Sequence, residues 1–409
     1  MSEEDRKQLG QEGERSSLLS ELDEVEIRVE KLVAGGDGLG RLQGLPIFVP
    51  RSAPGDVLRL RIVERRAGYA RGEILEILSP GPGRRVPPCR HFSDCGGCDL
   101  QHLEDDLQTR LKVEAAQETL RRIGGLNLLP GQRVISGSAW GYRLRTQLHL
   151  ESAEERVGVG YFARDSRRLV EISECKVLAP ALERFVTGLH SQLHDDVPSR
   201  LDVAVGDGGA ISCAPVVSDL PRGNVLLSAG EFSYHFDART FFQGHEGLLE
   251  ELIQSVVGGE SGDLAYDLYA GVGLFSLPLA RLYRNVVAVE GDRIAARYLR
   301  KNAQRARLAI DVVATSVESA IRKMPVGIDR VVVDPPRTGL GYRVRADLFD
   351  LRARRMTYVS CHPAVLARDL KHLCRIYELE EIVFLDLFPQ TGHLELVAQL
   401  RLDDEATES

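Results

Sequence analysis

The chain has 409 residues, 43% of them apolar and 27% charged, with a formal net charge of −8. That balance excludes wholesale disorder, a collagen-like repeat and a disulfide-dense mini-protein. At roughly 100–200 residues per domain, the length leaves room for two to four domains. No apolar run reaches the roughly eighteen residues that a membrane-spanning helix needs. The acidic, polar start Met1-Ser2-Glu3-Glu4-Asp5 lacks the basic and apolar features of a signal peptide. A cytoplasmic protein with no membrane partner is expected.

Residues 1–20 read as a disordered tail, polar and poor in anchors. Up to residue 24 the chain carries eight acids against three bases, whereas 25–85 carry eleven bases against seven acids. An acidic tail before a basic module is compatible with a polyanion partner. Residues 21–80 hold short alternating strands such as Val25–Val29, Val57–Val63 and Gly72–Leu78, punctuated by Gly35-Gly36-Asp37-Gly38 and Pro54-Gly55. This spacing predicts a small OB-like β-barrel, with Arg59 and Arg61 on one strand face. Ser79–Gly83 reads as a linker. Residues 81–238 form a central α+β domain, with a helix over about 103–123 stopped by Gly124-Gly125 and alternating strands near 145–150 and 157–161. That helix is a candidate to pack on the catalytic domain. Residues 239–409 alternate buried strands with helices, the pattern of a Rossmann-like doubly wound sheet. Its last two strands, near 382–387 and 394–400, leave no room for a helix and are expected to pair antiparallel.

Five motifs carry chemistry. Asp267-Leu268-Tyr269-Ala270-Gly271-Val272-Gly273 ends a strand in a Gly-x-Gly turn, and Glu290 ends the next strand. An acid at that place binds ribose hydroxyls. The third glycine or alanine of a dinucleotide site is replaced by Ser276, which favours an adenosine ligand without pyrophosphate, S-adenosylmethionine. Val333-Asp334-Pro335-Pro336 delivers an acid and a rigid turn to the ligand side of the sheet. Ser360-Cys361-His362-Pro363 places a thiol at a helix N-terminus, where its pKa is expected to fall and a nucleophile to form. His393-Leu394-Glu395 alternates, so that Glu395 faces the active side as a candidate general base. Cys89, Cys95 and Cys98, joined by Cys175, supply four thiols of the kind that hold an iron–sulfur cluster or an all-cysteine zinc. Cys213 and Cys374 have no such context and read as core residues.

Together these motifs resemble those of the RNA uracil-5 methyltransferases over nearly the whole chain. The 21–80 barrel resembles a TRAM domain. Cys89–Cys98 with Gln101-His102 resembles the family's iron–sulfur motif. Phe241-Phe242-Gln243, Asp267–Phe275, Asp334–Gly339, Ser360–Pro363 and His393–Glu395 match in order. The resemblance implies Cys361 as nucleophile and Glu395 as general base. It implies Gln243, Tyr269, Gly271, Gly273, Glu290 and Asp334 around S-adenosylmethionine, and Cys89, Cys95, Cys98 and Cys175 around a [4Fe-4S] cluster. It further implies a uridine in structured RNA as substrate, 23S ribosomal RNA ahead of transfer RNA, acted on by a monomer. Ala270, Leu274 and Ser316 depart from the family pattern, which has Cys, Asn and an acid or amide there. From another class, a non-catalytic RNA-binding iron–sulfur sensor would keep the barrel and the cysteines but would not need Cys361 and Glu395.

Overall fold

A computed structural model describes residues 24–126, 132–153, 156–193 and 197–403. The expected tail at 1–20 lies outside them. The chain divides into two compact units. The first comprises the residues up to Ser93, Cys98–Ala116 and Gln390–His393; the second comprises Asp94–Gly97, Gln117–Pro389 and Leu394 onward.

In the first unit, five strands close the expected barrel in the order β1-β2-β3-β5-β4. They are β1 (Glu24–Leu32), β2 (Gly38–Leu42), β3 (Leu45–Val49), β4 (Val57–Arg66) and β5 (Tyr69–Ser79). Alternation sends Val25, Ile27 and Val29 of β1 inward against Ile47, Leu58 and Leu60. Arg59 and Arg61 share the outer face of β4, as expected, but acids stand beside both. Arg59 stands in register between Glu26 and Glu76 and bonds both, at 3.4 and 2.6 Å, while Arg61 faces Glu73 at 3.9 Å. Such exposed pairs contribute at most about 1 kcal/mol each.

The expected linker after the barrel is tied down rather than free. The buried Asp56 accepts from the Ala53 and Gly81 amides, both at 2.7 Å, and from Arg84 Nη1 at 2.8 Å. Gln101 Oε1 accepts from the Cys89 amide, and His102 Nε2 lies 3.1 Å from the Ser52 carbonyl. Burial pushes the His102 imidazole down to about 4, so it is neutral at physiological pH. Helix α1 (Asp105–Thr119) follows, then a π turn at Leu120–Gly124 that Gly125 ends in a left-handed conformation.

The second unit has an eight-stranded sheet in the order β16-β15-β14-β17-β18-β20-β19-β6. Its strands are β6 (Val134–Ser136), β14 (Gly262–Leu268), β15 (Tyr283–Val289), β16 (Asp311–Val313), β17 (Arg330–Val333), β18 (Arg355–Ser360), β19 (Tyr377–Asp386) and β20 (Glu395–Leu402). β14 to β18 run parallel. β20 pairs antiparallel with both β18 and β19, as the missing helix predicts. The edge strands β6 and β16 are not foreseen from sequence. The helices of this unit are α2 (Pro180–Gly188), α3 (Leu249–Val257), α4 (Ser276–Leu282), α5 (Arg293–Arg305), α6 (Val317–Ala320), α7 (Tyr342–Leu351) and α8 (Pro363–Leu373).

The preceding part of the unit has a five-stranded sheet, β11-β10-β7-β8-β9, and a β12-β13 hairpin. These strands are β7 (Arg145–Ala153), β8 (Arg156–Phe162), β9 (Leu169–Glu171), β10 (Arg200–Val205), β11 (Ile211–Ala214), β12 (Val225–Ala229) and β13 (Phe232–Phe236). One apolar core runs from Leu148 and Leu201 through Tyr234 and Phe236 to Leu277, Val332 and Val383. No helix among the described residues is long and apolar enough to cross a membrane.

Candidate active site

The site lies where the parallel strands end, the side on which ligand crevices open in such sheets. β14 ends at Leu268 and the chain turns through Tyr269, Gly271 and Gly273, all with positive φ (64°, 56° and 99°). A positive φ at a bulky residue such as Tyr269 is strained, and strain of this kind gathers at functional turns. β15 ends at Val289. Glu290 then accepts from the Gly271 amide at 2.7 Å and the Asp292 amide at 2.6 Å, while Asp292 caps α5. The turn and the strand-end acid are thus one structure. Ser276 explains its own departure from the dinucleotide pattern, since its hydroxyl donates to the buried Asp267 carboxylate.

β17 ends at Val333, and Asp334 follows. Pro363 takes the first turn of α8 behind the cap residue His362, as expected, so Cys361 sits between β18 and that helix. The antiparallel register then places Cys361 and Glu395. Met356 faces Leu400 and Ser360 faces Leu396, the last pair of the ladder, so Cys361 and Glu395 each lie one residue beyond it. The two are close enough for the Glu395 carboxylate to act on the Cys361 thiol. Glu395 is 3% exposed and Cys361 half-buried.

The charge balance overturns one expectation. The helix N-terminus predicts a lowered thiol pKa at Cys361, yet burial pushes it up to about 11, and Glu395 and Asp334 add to the rise. Arg337, exposed on the Asp334–Gly339 turn, pulls the other way on both Cys361 and Glu395. Burial raises Glu395 well above the carboxylate range, with Asp334 adding to it. Burial lifts Asp334 and Asp267 each to about 7. In the free protein, then, the Cys361 thiol is largely protonated at neutral pH. Arg337 is a site residue the sequence reading did not single out, although it stands in the same Asp-Pro-Pro-Arg run. The signs predict that Glu395→Gln lowers the Cys361 pKa and Arg337→Ala raises it. The rate of iodoacetamide alkylation of the Cys361 peptide against pH measures both shifts; no fall in Glu395→Gln would refute the close placement.

Two family descriptions match the chain: a TRAM domain over residues 21–75 and a tRNA (Uracil-5-)-methyltransferase over residues 223–401. A 23S rRNA (uracil(1939)-C(5))-methyltransferase RlmD of Yersinia enterocolitica is 31% identical, over 91% of this chain and 94% of its own. The chain belongs to the RNA uracil-5 methyltransferase family. An uncharacterised RNA methyltransferase of Synechocystis is 30% identical, over 92% of this chain and 95% of its own. Among solved structures, the tRNA (uracil-54, C5)-methyltransferase of Pyrococcus abyssi in complex with S-adenosyl-L-homocysteine superposes with a TM-score of 0.70. It is 25% identical and covers 92% of this chain and 100% of its own.

Against the family pattern, the departures at Ala270 and Leu274 are packing residues. Ala270 packs with Ala288 and Leu299, and Leu274 joins the main core while its carbonyl accepts from Tyr234. Ser316 precedes the short α6, with its hydroxyl 3.1 Å from that of Ser319. Two buried acceptors lack a protein partner, Gln243 Oε1 and, near the end of β14, Asp267 Oδ1. Buried polar atoms are rarely left so, and they fit a site that a polar ligand completes.

The four cysteines form no disulfide and are each half-buried. In the second unit, Cys95 bridges to Ala163, with the Gly96 amide on the Phe162 carbonyl at 2.9 Å. Cys175 receives the Tyr161 hydroxyl at 3.9 Å. Burial pushes its thiol up to about 11, and Cys95 is close enough to add to the rise. In the first unit, Cys89 is held through Gln101. Among the described residues, no three His, Cys, Asp or Glu side chains gather round a point that a metal ion could take. A Cβ at Gly97 would stand 3.5 Å from the Cys95 sulfur, so only a glycine leaves that side of the thiol bare. Cys213 and Cys374 are raised by burial to about 12 and about 11, in keeping with core thiols.

Behind the site, Asp369 of α8 is fully buried and accepts four bonds. Its partners are Arg345 Nη1 (2.6 Å), Tyr358 Oη (2.7 Å), Arg368 Nε (2.9 Å) and the Leu340 amide (3.1 Å). It fastens the segment after Arg337 to β18 and α8. Sequence reading missed it, because nothing local marks one Asp among the polar residues of a helix.

Proposed function

We propose that the protein transfers a methyl group from S-adenosylmethionine to C5 of a uridine in structured RNA. The observation that carries this is that Cys361 and Glu395 each stand one residue beyond the last pair of the ladder, Ser360 with Leu396, and within electrostatic reach of each other. Gln243, Tyr269, Gly271, Gly273, Glu290 and Asp334 would hold S-adenosylmethionine. When bound, that molecule supplies an electrophilic methyl on a cationic sulfur. Beside such a cation, the carboxyl pair Glu395 and Asp334 would lose protons, which prepares Glu395 as a base.

Uracil C5 is a poor nucleophile until C6 is attacked. The Cys361 thiolate adds to C6, making C5 enolate-like, and C5 takes the methyl group. Glu395 then removes the C5 proton, the electron pair restores the C5–C6 double bond, and the C6–S bond breaks to free Cys361. Splitting one hard step into two easier ones is covalent catalysis. A base within folded RNA must be flipped out to reach the thiol. The sensor reading has no use for the paired thiol and carboxyl.

Ribosomal RNA is the favoured substrate, in line with the relatives named for 23S rRNA. RNA substituted with 5-fluorouridine tests this, because fluorine cannot leave C5 as a proton and the adduct is trapped. A denaturation-resistant band with 23S ribosomal RNA, dependent on the cofactor, is expected. A band with transfer RNA alone would move the substrate to that class; no band with either, from protein shown to bind the cofactor, would overturn the reading.

We also propose that Cys89, Cys95, Cys98 and Cys175 hold a [4Fe-4S] cluster with a structural or RNA-contacting role, since methyl transfer moves no net electron. Anaerobically purified protein is expected to be brown and to contain iron and acid-labile sulfide. Colourless, zinc-loaded protein of full activity would refute the cluster.

A further inference from the structure

Residues 390–393, just before the proposed base, belong to the first unit and are closely held there. Gln390 is fully buried, and its backbone is left-handed with φ 68°. A non-glycine residue adopts that conformation only where its neighbours over-determine it. Here they do. Gln108 of α1, also buried, accepts from the Gln390 N–H at 3.0 Å and donates from Nε2 to Gln390 Oε1 at 2.9 Å. Gln390 Nε2 donates to Asp105 at 2.8 Å, and the Gln390 carbonyl accepts from the Asp99 and Leu100 amides at 2.8 and 3.0 Å. Every polar atom of Gln390 is therefore bonded. Gly392 donates its N–H to Asp99 Oδ2 at 3.0 Å, and a Cβ there would stand 2.2 Å from the Gly35 carbonyl oxygen. Glu395 follows three residues later as the first residue of β20.

We infer that Gln108 is a positioning residue for the abstraction of the C5 proton: through Gln390 it fixes the start of β20, and with it the Glu395 carboxylate. The inference rests on Glu395 being the base. In the step concerned, the C5–H bond breaks and its proton passes to the Glu395 carboxylate. The electron pair forms C5=C6, and the C6–S bond breaks with the electrons returning to Cys361. A misplaced carboxylate leaves thiol addition and methyl transfer intact but delays this release. The methylated covalent adduct then accumulates on ordinary RNA.

The test uses the full-length protein, RNA carrying tritium at uridine C5 and S-adenosylmethionine labelled in the methyl group. Gln108→Met keeps the side chain's length and removes three hydrogen bonds. A methyl burst stoichiometric with enzyme is expected, followed by tritium release slowed about 10- to 100-fold, the effect of a misplacement of about 1 Å. A denaturation-resistant protein–RNA band should accompany it, with the KM for S-adenosylmethionine unchanged. Gly392→Ala, which wedges the same segment, should give the same split and serves if Gln108→Met does not fold. Glu395→Gln is the reference. If it accumulates the adduct and neither clasp variant does, the positioning role is overturned and the base stands. If Glu395→Gln does not accumulate it, the base assignment falls and the positioning role with it. Methyl transfer and tritium release falling together in the clasp variants would mark a merely structural role and also overturn the inference.

Discussion

Cys361→Ala is expected to abolish methylation, with turnover lowered by about 10⁴-fold or more, the scale on which removal of a covalent nucleophile acts. Binding of S-adenosylmethionine should persist, because the residues placed around it lie just beyond the ends of β14, β15 and β17 and in the segment before α3. The native enzyme should carry a pH signature of the same thiol. With its pKa at about 11 in the free protein, only about one thiol in 10⁴ is ionised at pH 7. The quantity kcat/KM reports free-enzyme ionisations, so it should climb with pH, close to tenfold per unit between about pH 7 and 9. A flat profile over that range, or residual turnover in Cys361→Ala within tenfold of native, would remove Cys361 from the mechanism.

The largest stability effect is expected at Asp369, outside the chemistry. Asp369→Ala deletes a buried anion with four partners and leaves Arg345, half-buried against it, without its counter-charge. Removing one member of such a network costs about 3–5 kcal/mol. For a unit of this size that lowers the melting temperature by about 10 °C. A thermal shift assay reads the change. A shift within 2 °C of native would mean that the Arg345 and Tyr358 groups find other partners at little cost.

Much of this architecture is legible in the sequence because its signals are local. Val25–Val29 alternates, Gly125 stops a helix, Pro363 starts one, and the short gap between the last two strands forces an antiparallel pair. Cys361 and Glu395 stand out because strand ends in an α/β sheet are where ligands bind. What escapes is set by tertiary surroundings. The thiol pKa goes up instead of down because burial, with two acids adding to it, outweighs a helix terminus, and neither is local. Arg59 looks like a free charge until β1 and β5 bring Glu26 and Glu76 beside it. Strands of three residues, Val134–Ser136 and Asp311–Val313, are too short to carry a period. Gln108 and Gln390 give no sign of each other across the chain.

That last pairing bears on how the protein is made. The bonded glutamines are 282 positions apart, and translation releases the chain from its N-terminus at about 5–20 residues per second. The rest of the first unit therefore waits for about 15–60 s before residues 390–393 leave the ribosome to join it. Long-range closure of this kind is slow and exposes apolar surface while it waits. A nascent chain stalled before Gln390 should accordingly be sensitive to proteases in the segment that the finished protein protects. The last residues translated before the proposed base are also the ones that complete the first unit to be synthesised.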